Sequence, residues 1–101
     1  MENPLVSVVV AYRNRPGLVM RAIESIAGQH YRPLELIVVD DGSEDSFPSS
    51  SNEIQTRLGL ASQIVRLGSN LGVAWATNVG VSVARGEYLA LLGDDDFWID
   101  P

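Results

Sequence analysis

Four short apolar runs, separated by helical segments, constrain the fold of this chain more than any other feature. The runs are rich in Val, Ile and Leu, the composition of strands that are covered on both faces. They lie at 5–11, 34–39, 62–67 and 88–92. Segments with apolar residues at helical spacing lie between them, at 16–27, 51–58 and 73–85.

Alternation of strand and helix at these lengths predicts right-handed crossovers and a parallel α/β sheet. We therefore predict a three-layer α/β/α sandwich of about four strands, in the order 3-2-1-4, with three helices. Several helix ends are marked locally. Pro16 suits a first helical turn, Ser50 and Glu53 fit a capping box, and Gly59 suits a helix end. Trp75, in the third helix, is expected to pack in the core.

Charge and composition exclude several classes of protein. Among 101 residues there are seven basic residues, all Arg, and 13 acidic ones, for a net charge of −6. A nucleic-acid-binding protein would need a basic face, so nucleic acid is not an expected partner. The absence of Cys excludes disulfides, zinc ribbons and thiol catalysis. With no apolar run near the roughly 20 residues of a membrane span and no signal-peptide pattern, a cytoplasmic location is expected.

Carboxylates follow two of the predicted strands. Asp40 and Asp41 end the second strand, and Asp94, Asp95 and Asp96 follow the fourth. In a parallel sheet these ends share one edge, where ligands bind at the point of strand reversal. Hard oxygen donors there predict Mg²⁺ or Mn²⁺ holding an anionic ligand such as a diphosphate. The alternatives are a tight turn at 40–43 and a solvated acidic loop at 94–96.

Other nucleotide-binding motifs are missing. No Gly-x-Gly-x-x-Gly follows the first strand, and the absence of Lys excludes a Walker loop and counts against a phospho-receiver domain.

The motifs taken together resemble family 2 glycosyltransferases of the GT-A fold, a Rossmann-like group of nucleotide-diphospho-sugar transferases. The resemblance covers essentially the whole chain, with the motifs in order. Its segments are 6–10, 34–43, 70–72, Asn78, 86–88 and 91–98. It implies that 1–101 is the N-terminal donor-binding part of such a domain, with the acceptor half absent.

The resemblance also implies roles for residues that bind the donor nucleotide. Ala11 and Arg13 would line the base pocket, and Asp41 would accept a hydrogen bond from the nucleobase. Asp40 would support that turn, and Asp94 would bind the ribose or assist the metal.

The implied metal ligands form a DxD-type motif. Asp95 would ligate Mn²⁺ or Mg²⁺, with Asp94 and Asp96 completing the set, and the metal would bridge the donor diphosphate. The chain departs from the family pattern at three places. Arg13 stands where the family commonly has Tyr, Thr77 where it has Arg, and Gly93 where it often has the first Asp of the motif.

The reaction implied by the resemblance is transfer of a sugar, with inversion, from a nucleotide-diphosphate sugar to an acceptor hydroxyl in cell wall or polysaccharide biosynthesis. The acceptor would be a glycan, a lipid-linked sugar or a protein, and the full-length enzyme could act at the inner face of the membrane. The general base is expected beyond residue 101, so the chain alone is not expected to catalyse transfer.

Two alternative functions are a nucleotidyltransferase-like enzyme and a non-catalytic α/β module. Self-association through an exposed C-terminal strand is also expected.

Overall fold

The computed structural model describes residues 3–45 and 47–93 as a strict alternation of strands and helices. The elements are β1 (Val6–Tyr12), α1 (Pro16–Ala27), β2 (Leu34–Asp40), α2 (Ser51–Leu58), β3 (Ala61–Arg66), α3 (Val73–Val83) and β4 (Tyr88–Gly93). Each matches a predicted segment in type and order, and the ends differ only within the usual uncertainty of element boundaries. No helix in the described ranges is long and apolar enough to cross a membrane.

The four strands form one parallel sheet in the order β3-β2-β1-β4, as predicted. β1 and β2 occupy its centre and are buried along almost their whole length. The outer strands β3 and β4 are more exposed. The continuous apolar runs of β1 and β2 therefore correspond to strands with helices on both faces.

Alternate residues of the central strands face opposite layers, because side chains in a strand alternate with a period of two. Val8, Val10 and Tyr12 pack in one core together with residues of α1 and α2. Val9 and Ala11 pack in the other, against Ala76 of α3. The predicted three-layer sandwich is confirmed.

Small residues let α3 lie close to the sheet. Ala76 and Gly80 are buried, and a Cβ at Gly80 would lie 2.4 Å from Cγ1 of Val9. Val73, at the start of α3, is 68% exposed. The prediction that Trp75 packs in the core is wrong, since this residue is 57% exposed. Trp75 directly precedes Ala76, and one residue turns a helix by about 100° away from the sheet.

Three of the apolar residues of β4 are exposed, whereas Ala90 and Leu92 are partly buried. Tyr88, Leu89 and Leu91 are among the exposed large apolar residues of the described chain. Within that part of the chain, β4 pairs with β1 alone. Self-association through this strand stays a prediction.

A buried carboxylate joins β1, β2 and the end of α3 at the edge of the sheet opposite the carboxyl ends of the strands. Glu35 accepts hydrogen bonds from Oγ of Ser7 at 2.6 Å and from the backbone N–H of Arg85 at 2.7 Å. Burial alone would raise the pKa of Glu35, but these hydrogen bonds, with the Arg85 charge, outweigh it and hold the pKa below 4.5. The Arg85 guanidinium is largely in solvent, so its own contribution is small.

The lowered pKa of Glu35 makes stability sensitive to acid. A carboxyl whose pKa is lower in the folded chain stabilises the fold above its unfolded pKa, and this contribution is lost as pH falls through the folded value. We expect the free energy of unfolding in urea to fall between pH 7 and pH 3 by less in Glu35→Gln than in the wild-type chain. Glu24→Gln, at an exposed site on α1, is the matched control. Equal acid sensitivity of the wild-type chain and Glu35→Gln would contradict this assignment.

Candidate functional site

Asp41 connects the loops at the carboxyl edge of the sheet through hydrogen bonds. It is 5% exposed and accepts hydrogen bonds from the backbone N–H of Leu71 at 2.8 Å and of Gly72 at 3.1 Å. The Asp41 N–H donates to the carbonyl of Tyr12 at 2.8 Å. One residue thus fixes the positions of the ends of β1 and β2 and the start of α3.

Asp40 lies behind Asp41 and is fully buried. Its Oδ1 accepts a hydrogen bond from the N–H of Ser43 at 2.9 Å, which closes the turn after β2. Its Oδ2 lies 3.7 Å from Nε of Arg66, the residue beside it in the sheet register. Burial raises the pKa of Tyr12 to about 12, and the nearby Asp40 carboxylate adds to that rise.

Gly42 lets the turn after β2 pack on the loop after β3. Its φ is +72°, a conformation that side chains with a Cβ rarely adopt. A Cβ at Gly42 would lie 2.5 Å from the backbone N of Asn70 and 2.5 Å from the backbone C of Ser69. Only glycine fits this contact between two loops.

Asn14 connects the loop after β1 to the turn after β2. Its N–H donates to Oγ of Ser43 at 2.8 Å, and its Oδ1 accepts from the N–H of Glu44 at 2.8 Å. Its φ is 56°, in the left-handed region that Asn tolerates better than most residues.

A cleft opens at this edge of the sheet, between the ends of β1 and β2 and the start of α3. Its volume is about 320 Å³, within the range of small-molecule sites. It is lined by Ala11, Tyr12, Arg13, Arg15, Asp41 and Val73. A smaller, mainly apolar hollow of about 190 Å³ shares Ala11 and Val73 with it and extends to the end of β4. The cleft thus combines a carboxylate, two guanidinium groups and apolar walls.

The structure brings three of the predicted nucleotide-binding residues together at this cleft. Ala11, Arg13 and Asp41 line it, whereas Asp40 is buried behind it. The roles assigned to these residues stay predictions.

The predicted metal ligands Asp94, Asp95 and Asp96 lie outside the described residues. The strand that precedes them ends at Gly93, which pairs with Ala11 at the cleft. Among residues 3–45 and 47–93, no group of three His, Cys, Asp or Glu side chains could hold a metal ion.

Sequence reasoning assigned no role to Asn14, Ser43 or Arg66. A weak signal existed for Ser43, because an Asp three residues before a Ser in an Asp-Gly context commonly closes such a turn. Nothing local marked Arg66, since its contact with Asp40 depends on the register between β2 and β3.

Comparison with known proteins identifies the family. A sequence model of glycosyl transferase family 2 matches residues 7–101. The chain belongs to this family. The predicted resemblance is confirmed, and membership favours a transferase over both the nucleotidyltransferase and the non-catalytic alternatives.

Individual relatives in the family are much longer than this chain. The UDP-Glc:alpha-D-GlcNAc-diphosphoundecaprenol beta-1,3-glucosyltransferase WfaP of Escherichia coli is 33% identical over 97 residues, which is 94% of this chain and 37% of WfaP. Glycosyltransferase GlyG of Streptococcus pneumoniae is 38% identical over 91% of this chain and 30% of its own length. The chain thus spans about a third of the length of the curated relatives that it matches.

Solved structures of glycosyltransferases share the fold. The mannosyltransferase PcManGT of Pyrobaculum calidifontis, in complex with GDP-Man and Mn²⁺, superposes with a TM-score of 0.84 at 31% identity, over 96% of this chain and 29% of its own. TarS 1-349 of S. aureus, in complex with UDP-GlcNAc, superposes with a TM-score of 0.76 at 28% identity, over 91% of this chain and 27% of its own. The predicted GT-A architecture is confirmed.

Proposed function

We propose that this chain is the donor-binding part of a glycosyltransferase that transfers a sugar, with inversion, from a nucleotide-diphosphate sugar to an acceptor hydroxyl. The observation that supports the proposal most directly is the cleft at the carboxyl edge of the sheet, which Arg13 and Asp41 both line. The donor complexes of PcManGT and TarS, whose folds match nearly the whole chain, support it.

The cleft offers complementary groups for such a donor. Asp41 uses each carboxylate oxygen once, for Leu71 and Gly72, and each oxygen keeps a lone pair for an N–H of a nucleobase. The guanidinium of Arg13 can donate to carbonyl or phosphate oxygens of the donor. The small side chain of Ala11 leaves the floor of the cleft open.

The residues after β4 fit a divalent cation by their chemistry. Three consecutive carboxylates follow Gly93, and carboxylate oxygens are the ligands that Mg²⁺ and Mn²⁺ prefer. We assign Asp95 as the principal ligand, with Asp94 and Asp96 as further candidates. A bound cation would offset the charge of the donor diphosphate and of the leaving nucleoside diphosphate. The Mn²⁺ in the PcManGT complex supports this assignment.

The acceptor side of the reaction is also part of the proposal. The name of WfaP describes a diphosphoundecaprenol-linked sugar as acceptor. By analogy we propose an acceptor of the glycan or lipid-linked sugar class, in cell wall or polysaccharide biosynthesis at the cytoplasmic face of a membrane. We assign no general base within 1–101, so binding of the donor, without its transfer, is the expected activity of this chain.

Calorimetric titration of UDP and GDP tests the donor site. We expect at least one of them to bind with Mn²⁺ present and binding to be lost with EDTA. Asp95→Asn should weaken binding by at least about tenfold, the lower end of what even indirect supports of a metal site contribute. Asp45→Asn, which removes the charge of an exposed carboxylate after β2, is the matched control. Absence of binding to either nucleotide, or binding that EDTA does not affect, would overturn the proposal.

A further inference from the structure

The hydrogen bonds around Asn14 form a clamp between two loops of the cleft. We define the loop clamp as Asn14, Ser43 and Glu44. We propose that Asn14 is a positioning residue for donor binding, which acts by holding its neighbour Arg13 in the binding orientation. This inference rests on the proposed donor site.

The clamp is formed by two hydrogen bonds that run in opposite directions between the loops. The Asn14 backbone N–H donates to Oγ of Ser43, and the Asn14 side-chain Oδ1 accepts from the N–H of Glu44, both at 2.8 Å. A single residue therefore contacts the other loop through both its backbone and its side chain. Such a pair restricts rotation as well as separation of the loops.

Residues at the ends of β2 and β3 hold the clamp in place through hydrogen bonds to Ser43. The Ser43 N–H donates to the buried Oδ1 of Asp40 at 2.9 Å, and Nη2 of Arg66 donates to the Ser43 carbonyl at 3.0 Å. Asp40 and Arg66 belong to neighbouring strands and lie side by side in register. Ser43 is thus held at three atoms, so the loop that carries Asn14 is fixed to a rigid part of the fold.

The clamp residues do not line the cleft. Asn14, Ser43 and Glu44 line a separate hollow of about 240 Å³. Arg13, one residue before Asn14, lines the cleft itself. For Arg13, neither a hydrogen bond nor an ion pair occurs among residues 3–45 and 47–93. Its position therefore depends on the backbone that the clamp holds.

Position 14 must adopt a left-handed backbone conformation and supply a side-chain acceptor for the Glu44 N–H, and Asn meets both requirements. The φ of 56° excludes most side chains, whereas Asn, Asp and Gly accept it. Gly would keep the backbone path but would lose the acceptor for Glu44. Asp would keep both. A loop that is not held before binding must be ordered by the ligand, which lowers affinity.

The test compares Asn14→Gly and Asn14→Asp with the wild-type chain. UDP and GDP, each with Mn²⁺, are titrated well below the thermal midpoint, and the midpoint of each chain without ligand is measured separately. We expect Asn14→Gly to bind about five- to tenfold more weakly, as the loss of one ordering hydrogen bond predicts. Asn14→Asp, which retains the acceptor, is expected to restore most of that affinity.

The matched control is Asn3→Gly. Asn3 is another loop asparagine, and its side chain donates a hydrogen bond to the Arg32 carbonyl at 3.3 Å, at the opposite edge of the sheet. Its loss should leave nucleotide affinity unchanged. A residue with only a structural role would shift the thermal midpoint without changing the affinity of the folded chain.

The possible outcomes separate this inference from the function on which it rests. Wild-type binding with equal affinity in Asn14→Gly would overturn the positioning role and leave the donor site in place. Failure of Asn14→Asp to bind more tightly than Asn14→Gly would also overturn it. If the wild-type chain binds neither nucleotide, the proposed function itself fails, and this inference fails with it.

Discussion

Replacing Gly42 with Ala is expected to lower the free energy of unfolding by about 2–5 kcal/mol. Two costs add: about 1–2 kcal/mol for placing a Cβ in the left-handed region, and about 1–3 kcal/mol for overpacking. The overpacking arises because the new Cβ would lie 2.5 Å from backbone atoms of both Ser69 and Asn70, which cannot move as a side chain would. Urea unfolding followed by circular dichroism measures the change.

Gly59→Ala separates the two costs. Gly59 ends α2 with a φ of +64°, close to that of Gly42, but a Cβ there would meet nothing within 4 Å. Its substitution should therefore cost only the conformational part, about 1–2 kcal/mol. Equal losses in Gly42→Ala and Gly59→Ala would show that the loops accommodate the added Cβ without an overpacking cost.

The second large effect is expected for Asp41→Asn, in both stability and nucleotide binding. The amide has one acceptor oxygen, so either the N–H of Leu71 or that of Gly72 would face the new NH₂ group. The loss of one hydrogen bond to a charged acceptor costs about 1.5–3 kcal/mol. Because Asp41 also lines the cleft, the loss of the charged acceptor is expected to weaken Mn²⁺-dependent nucleotide binding about 10- to 100-fold, as the loss of one hydrogen bond to a charged group predicts.

Asp45→Asn serves here as the control for removal of one negative charge from the same loop. Asp45 is exposed and does not line the cleft. Unfolding and nucleotide titration are measured for both variants. An Asp41→Asn chain with wild-type stability would contradict the role of Asp41 in tying the loops. Retained stability combined with lost binding would instead restrict Asp41 to contact with the nucleotide.

Helix ends in this fold follow from hydrogen bonds between residues that are close in sequence. The capping box predicted from Ser50 and Glu53 is present, with Oγ of Ser50 accepting from the N–H of Glu53 at 3.1 Å. Gly59 ends that helix, as predicted, and the structure shows it in the left-handed conformation. Both features depend on partners at most four residues apart, so the sequence alone predicts them.

The location of the cleft was predictable for a different reason. Parallel strands all end at one edge, so residues that follow the strands must gather there whatever their separation in sequence. Ala11, Arg13 and Asp41 come together at the cleft for this reason. The family resemblance supplied their expected roles, which the proposed titrations test.

The order and type of the elements, the parallel sheet and the edge that holds the site could be predicted from the amino-acid sequence, because these depend on periodicity and on local hydrogen bonds. Which polar groups far apart in the chain contact each other depends on the tertiary fold. Asn14 forms a hydrogen bond with Ser43, 29 residues away in the chain, and Glu35 forms one with Arg85, 50 residues away.

The exposure of Trp75 likewise depends on how α3 packs, with Gly80 lying against Val9. A periodic pattern gives the face on which a residue lies, whereas its partner depends on strand register and helix rotation, which packing of the whole chain sets.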